Sequence, residues 1–363
     1  MQPEQVQPAI VTPQAPPVAP VASAAPTTTT FTPQQPALTS DELAAATTTI
    51  AAVSEAFAER VVGQDGLRQS LLVALLVGGH VLMESVPGLA KTTAAATLAN
   101  TMNASFHRIQ CTPDLLPSDI MGTQMYDQSR AEFKTQLGPV NANFVLLDEI
   151  NRSSAKTQSA MLEAMQEKQV SIGGVIHKLP EPFLVLATQN PIEQEGTYEL
   201  PEAQLDRFLL KEVLTYPTTD EEVEILRRIE QGAYTSDARL AGSVSIDQIM
   251  QLQRQAAKVY IDDSVKRYIV SIVQATRNPS ASIKPELAKY VQFGGSPRAA
   301  IAFMQASRAL ALIHGRDYVI PDDVKELRFP VLRHRIILNF EAVADQIHPE
   351  LIIEAIFSGI TTP

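Results

Sequence analysis

Lys91 and Thr92 arrive at the end of the stretch from His80 to Thr93, HVLMESVPGLAKTT, where an apolar strand runs into a turn containing Pro87 and Gly88. A lysine followed by a hydroxyl on such a turn suits the binding of a nucleoside triphosphate. Backbone N–H groups of the loop point at phosphate oxygens, the lysine neutralises charge on the β and γ phosphates, and the hydroxyl holds Mg²⁺. A second pair of groups ends the apolar run Asn143-Phe144-Val145-Leu146-Leu147, which delivers Asp148 and Glu149 side by side. At the carboxyl end of a parallel strand beside the phosphate loop, Asp148 orders the Mg²⁺ shell and Glu149 polarises an attacking water. A third run, Phe183 to Thr188, ends in Gln189-Asn190-Pro191, and the Asn190 amide can orient the same water from the other side. Each signal alone has a plainer reading: a small-residue turn, solvated acids at a strand end, an Asn-Pro turn.

The strict phosphate-loop pattern, GxxxxGK followed by Ser or Thr, is not met, because Ser85 and Ala90 stand where the two glycines belong. Ala90 is expected to have entered the right-handed helix already, where a Cβ does not clash, leaving Gly88 to supply the tight part of the loop. No comparable argument covers Ser85.

These groups need a scaffold of alternating strands and helices. A helix capped by Asp41 runs toward Arg60, and a second follows the turn Val62-Gly63-Gln64-Asp65. Beyond the loop the pattern reads as a helix over 92–102, strands over 105–110 and 143–148, a helix over 155–166 and a strand over 183–188. This is an α/β class, with a mostly parallel sheet flanked by helices. After Tyr216-Pro217 the periodicity is helical almost throughout, and it predicts a smaller all-helical lid domain over 217–363 behind a nucleotide-binding domain over 41–216. Residues 1–40 hold nine of the 25 prolines and one charge, Glu4, and are expected to be a disordered tail rich in Pro, Thr, Ala and Gln.

Composition narrows the class. The longest apolar run, Leu71 to Met83, is interrupted by Gly78, Gly79 and His80 and is too short for a bilayer, so no membrane insertion is expected. The absence of Lys or Arg before Arg60 argues against a secretory signal, and the single cysteine, Cys111, fits a reducing, cytoplasmic compartment. A net charge of −11 argues against wholesale nucleic-acid binding, which draws most of its non-specific affinity from cations.

Taken in order, SVPGLAKT (85–92), LLDEINR (146–152), ATQNP (187–191), LPEAQLDRF (200–208) and GGSPRA (294–299) resemble the MoxR family of AAA+ ATPases over residues 45–363. The resemblance implies an ATP-hydrolysing P-loop AAA+ core with a lid, and ATP and Mg²⁺ as ligands. Ser85, Val86, Pro87, Gly88, Leu89, Ala90, Lys91, Thr92 and Thr93 become the Walker A loop, with Thr92 and Asp148 on the metal and Glu149 the catalytic base. Asn190 matches sensor 1, Arg207 the arginine finger that reaches a neighbouring subunit's γ-phosphate, and Arg298 sensor 2, in cis or in trans. Val61, Val62, Gly63 and Gln64 would lie near the adenine. The stretch between Gln110 and Asn143 matches the family's insertion in helix 2, and Val170 to Ile176, folded about Gly173-Gly174, matches its hairpin before sensor 1. Relatives usually carry glycine at the Ser85 position, which implies weaker binding or slower turnover here.

The implied activity is a chaperone-like hexameric ring that remodels or matures a client protein or metalloenzyme complex, with a von Willebrand factor A domain protein as partner. Three other functions share the nucleotide site: a P-loop kinase acting on a small molecule, a nucleic-acid motor, and a nucleotide-dependent scaffold that does not hydrolyse.

Overall fold

A computed structural model describes residues 37–86, 88–191, 198, 200–232 and 243–363. The tail from 1 to 36 and Pro87 of the loop lie outside the described residues. Helix α1 (Ser40–Arg60) begins earlier than the cap expected at Asp41. Thr39 caps it instead, its hydroxyl accepting from the Glu42 N–H at 3.2 Å while the Glu42 carboxylate accepts from the Thr39 N–H at 2.9 Å. The reciprocal Thr-x-x-Glu box satisfies two donors where Asp41 could satisfy one. Helix α2 (Asp65–Val77) ends at Gly78 in the left-handed region and leads into β1 (Val81–Glu84).

Next come α3 (Lys91–Thr101), β2 (Phe106–Gln110), α4 (Pro117–Met121), the hairpin β3 (Gly122–Asp127) and β4 (Glu132–Leu137), and β5 (Phe144–Asp148). Then follow α5 (Ala155–Glu167), the hairpin β6 (Gln169–Ile172) and β7 (Val175–Lys178), β8 (Leu184–Gln189), α6 (Glu202–Leu205) and β9 (Leu210–Val213). The main sheet has five strands in the order β2-β5-β8-β1-β9, every neighbouring pair parallel. Its three central strands, β1, β5 and β8, are apolar on both faces. Val81 and Met83 of β1, Phe144 and Leu146 of β5, and Leu184 and Leu186 of β8 feed one apolar cluster. The residues between them, Leu82, Val145, Leu147, Val185 and Ala187, feed a second on the opposite face. This explains why these strands read as unbroken apolar runs rather than as alternating ones.

The chain continues through α7 (Thr219–Glu230), α8 (Ile246–Lys258), α9 (Asp263–Arg277), α10 (Pro285–Ala288) and β10 (Val291–Phe293). It closes with α11 (Pro297–Ile313), α12 (Pro321–Glu326), α13 (Arg328–Leu332), β11 (Ile337–Leu338), α14 (Phe340–Ala344) and α15 (Pro349–Gly359). Among these helices, β10 and β11 form a short antiparallel ribbon that helical periodicity does not reveal. Ser296 caps α11 ahead of Pro297, and the buried face Ala299, Ala302, Phe303, Ala306 and Leu310 packs against α2, α8 and α9. Leu71 to Leu76 of α2 are buried by these partners, so their apolar run is core. No helix among the described residues is long and apolar enough to cross a membrane.

His80, just ahead of β1, pins the sheet to α5. Its Nδ1 accepts from the Val185 N–H at 3.0 Å, which leaves Nε2 to donate to the Met165 carbonyl at 3.2 Å. Burial, which disfavours the imidazolium, lowers its pKa from 6.5 to about 4, and burial likewise holds His334 well below the usual histidine range. A depressed histidine pKa gives stability that is complete above the unfolded value and is lost as pH falls from 6.5 toward 4. For His80 the shift corresponds to about 3 kcal/mol. The urea midpoint should therefore fall more steeply between neutral pH and pH ~4 in the parent than in His80→Gln, which cannot titrate. Equal slopes would show that protonation of His80 does not drive the loss.

Candidate nucleotide site

Because all five strands point one way, the ends of β1, β8 and β5 emerge together at one edge of the sheet. The phosphate loop leaves β1 there, Asn190 follows β8, and Asp148 and Glu149 end β5. Ser85 N–H donates to the Gln189 carbonyl at 3.1 Å, tying the start of the loop to the neighbouring strand. Ser85 is buried and is not among the residues with positive φ, and its hydroxyl donates to the Val86 carbonyl at 3.1 Å. The backbone at this position therefore does not require glycine. Gly88 does need to be glycine, with φ +89°.

Ala90 departs from the expectation that it is already helical. It sits in the left-handed region at φ 51° and ψ 19°, and α3 begins only at Lys91. The chain must reverse there so that the first N–H groups of α3 face the loop, and an L-residue held so is strained by roughly 1–2 kcal/mol. Glu149 is a second left-handed residue, at φ 58°, where β5 turns away from the sheet.

The carboxylates are held by residues that the motifs alone do not reveal. Thr188 Oγ1 donates to Asp148 Oδ1 at 2.7 Å and accepts from the Glu149 N–H at 2.8 Å, locking β8 to the acid pair. Arg108 on edge strand β2 donates to Asp148 Oδ2 through both Nε, at 3.1 Å, and Nη2. Burial alone would raise the Asp148 pKa, but the hydrogen bonds from Arg108 and Thr188 outweigh it and hold the carboxyl below its usual range. Gln110 Nε2 donates to Glu149 Oε2 at 2.9 Å, and Arg152 Nε lies 3.2 Å from the same oxygen. The only clue in the sequence is a pair of polar residues at alternate positions near the end of a strand. Their meaning depends on the register that sets Gln110 beside Asp148. Cys111 lies close by, buried, its thiol pushed up to about 12 chiefly by that burial, which keeps it protonated and unreactive.

Beside the loop lies a cavity of about 430 Å³ lined by Arg60, Val62, Gln64, Gly88, Leu89, Ala90, Thr93, Pro217, Ile225 and Ile229. Its aliphatic walls and position suit a purine base. Val62 and Gln64 line it as expected, whereas Val61 is buried in the core. Gly63 packs against the Glu221 side chain. Pro217, Ile225 and Ile229 come from α7 and the turn before it, more than 100 residues beyond the loop, and no local signal marks them.

Arg207 and Arg298 are elsewhere. Both line a concavity of about 320 Å³ with Gly79, His80, Lys168, Asp206, Phe208, Leu209 and Arg335, and no described residue of the phosphate loop contributes to it. His80 leads into β1 and Leu209 into β9, so this concavity lies at the amino end of those strands, away from the loop. Arg298 Nη1 stands 3.9 Å from Asp206 Oδ2.

The donors at the loop edge fit Mg²⁺. They comprise the ionised Asp148 carboxylate and the Thr92 hydroxyl at the start of α3, and no cluster of three or more His, Cys, Asp or Glu side chains is present among the described residues. A nucleotide-bound Mg²⁺ draws most of its ligands from phosphate and water, so so sparse a protein set is what it needs. Two outcomes follow. Ala90→Gly should raise the unfolding free energy by roughly 0.5–1 kcal/mol in urea titrations without weakening ATP binding; weaker binding would show that the Ala90 methyl serves the pocket. Arg108→Ala should lower the Mg²⁺ concentration that half-saturates nucleotide binding, because the guanidinium no longer occupies Asp148; an unchanged titration would show that the two do not compete.

Residues 80–210 match the model of the AAA ATPase family associated with various cellular activities, and residues 286–356 match the AAA lid domain. Chaperone MoxR1 of Mycobacterium tuberculosis is 50% identical over 303 residues, covering 84% of this chain and 79% of that protein. Protein MoxR of Paracoccus denitrificans is 31% identical over 320 residues, covering 84% of this chain and 93% of its own length. The crystal structure of a Cytophaga hutchinsonii protein superposes with a TM-score of 0.83 at 46% identity, covering 89% of this chain and 97% of that one. With the phosphate loop, the acid pair and the lid in the expected order on a parallel sheet, the chain belongs to the MoxR family of AAA+ ATPases.

Proposed function

We propose that this protein is a Mg²⁺-dependent, ring-forming ATPase of the cytoplasm, hexameric in its working state, that remodels or matures a client protein together with a von Willebrand factor A domain partner. One observation carries the ring: Arg207 and Arg298 share a concavity to which no described residue of the phosphate loop contributes. Two guanidinium groups kept away from their own nucleotide suit a nucleotide bound by a neighbour, so both arginines act in trans, a point the motifs left open for Arg298. In this reading residues 41–216 form the nucleotide-binding domain and 217–363 the lid.

In the ATP-bound ring Lys91 neutralises phosphate charge, the first N–H groups of α3 cradle the phosphates, and the base lies between Val62 and Ile229. Mg²⁺ held by Thr92 and, through its water shell, by Asp148 would neutralise the β and γ oxygens. Glu149 polarises the attacking water once its carboxylate leaves Gln110 and Arg152, and Asn190 orients that water. Arg207 of the next subunit stabilises the charge that develops on the transferring phosphoryl group.

The client side of the reading is supported by the two insertions. Hairpin β3–β4 and hairpin β6–β7 lie on either side of a cavity of about 410 Å³ lined from both. Gly173 and Gly174 turn the second hairpin at φ 58° and 82°, as a two-residue turn requires. Together the hairpins expose Met125, Tyr126, Phe133, Val175 and Ile176, with Phe133 68% and Ile176 62% exposed. Adjacent apolar side chains this exposed suit the grip of an unfolded segment.

ATP hydrolysis and sedimentation, measured together with and without ATP, test the proposal. The parent should hydrolyse ATP as a nucleotide-stabilised ring. Arg207→Ala should bind ATP with turnover reduced about 10³-fold or more, and Glu149→Gln should trap ATP. A monomer that hydrolyses as well without Arg207 would overturn the ring and favour a kinase-like enzyme.

A further inference from the structure

The loop that carries Arg207 is held by a residue from the far end of the chain. Arg335, in the turn after α13, is 5% exposed, and all five of its N–H donors find oxygens. Nε donates to Asp206 Oδ1 at 2.8 Å, and Nη2 donates to the carbonyls of Phe208 at 2.6 Å and Asp206 at 3.4 Å. Nη1 donates to the carbonyls of Leu209 at 3.1 Å and Val331 at 2.5 Å. Four of the five donors therefore reach residues that flank Arg207. Two neighbours reinforce the hold: His334 Nε2 lies 3.1 Å from the Phe208 carbonyl, and the Ser296 hydroxyl at the start of α11 donates to Asp206 Oδ2 at 2.7 Å. Arg207 itself forms no ion pair with the described residues, and its Nε is buried without a hydrogen-bond partner.

A guanidinium this buried is tolerated only with its donors met, and an apolar side chain of similar volume often serves stability as well or better. What the apolar side chain cannot do is fix the direction of three carbonyls and a carboxylate. Directional hold matters where a long, flexible arginine must meet a transition state, because a small displacement of the donor removes most of its effect. We propose that Arg335 is a positioning residue for Arg207. It fixes the backbone on both sides of Arg207 and makes the presentation of that guanidinium depend on the segment carrying α13, so movement of the lid is transmitted to the neighbour's active site. This inference rests on the reading that Arg207 acts in trans.

The test uses full-length Arg335→Lys, which keeps the charge and loses the planar fork. ATP should still bind with KM within about twofold of the parent, and kcat should fall at least about tenfold. Mixing this variant with Glu149→Gln subunits should restore hydrolysis above the sum of the two alone. The variant then supplies an intact nucleotide site and its neighbour an intact Arg207. Unchanged kcat in Arg335→Lys would overturn the proposal. So would loss of turnover that mixing does not restore while an Arg207→Ala and Glu149→Gln mixture recovers, since Arg335 would then serve its own subunit. If the Arg207→Ala mixture does not recover, the trans reading itself fails and the inference with it. Should Arg335→Lys not assemble, Asp206→Asn, which keeps the shape of the side chain and removes its charge, is read in the same way.

Discussion

Strands that are apolar on both faces, as β1, β5 and β8 are, can carry polar groups only at their ends, and in a parallel sheet all the carboxyl ends lie on one edge. Most of the candidate nucleotide site depends on that constraint. Phosphate loop, Asn190 and the acid pair belong to three different strands, yet the order β5-β8-β1 sets them side by side. Thr188 makes the arrangement rigid, since its one hydroxyl serves both the Asp148 carboxylate and the Glu149 backbone.

The amino end of the same sheet has a different character. Asp206 there receives Arg335 and Ser296 and faces Arg298, all three from the segment after residue 290. The helical region is thus bound to the sheet at the point where Arg207 leaves it. One edge gathers the phosphate loop and the carboxylates and the other presents Arg207 and Arg298, so a single subunit does not bring these two sets of groups together. The −11 net charge hides this polarity, because composition averages over the whole surface.

The two substitutions in the phosphate loop differ in consequence. Ser85 replaces a glycine at a position without positive φ and fits with a local hydrogen bond. Ala90 replaces one where the chain is left-handed, and the strain remains in the structure. Such strain beside a phosphate site is sustained by the packing around it, here Leu89 and the buried face of α3.

Local chemistry was enough for much of this protein. The class of fold, the phosphate loop, the acid pair and the principal helices were legible because apolar periodicity, turn residues and adjacent carboxylates are short-range signals. The cap at Thr39 lies two residues before Asp41, since an Asp beside a Thr-x-x-Glu box offers two starts in sequence and the reciprocal box decides between them. The left-handed conformation of Ala90 is not legible in the sequence, because the sign of φ at a helix entry depends on where the preceding loop must point. Arg108, Gln110, Pro217, Ile225, Ile229 and Arg335 acquired roles only through the tertiary structure. Each acts across a strand register or a contact more than 30 residues away in the chain. Sequence determined which groups exist and which local elements carry them. Strand order and the packing of the helical segment decided which of them meet, because that choice is made by burial summed over the whole chain.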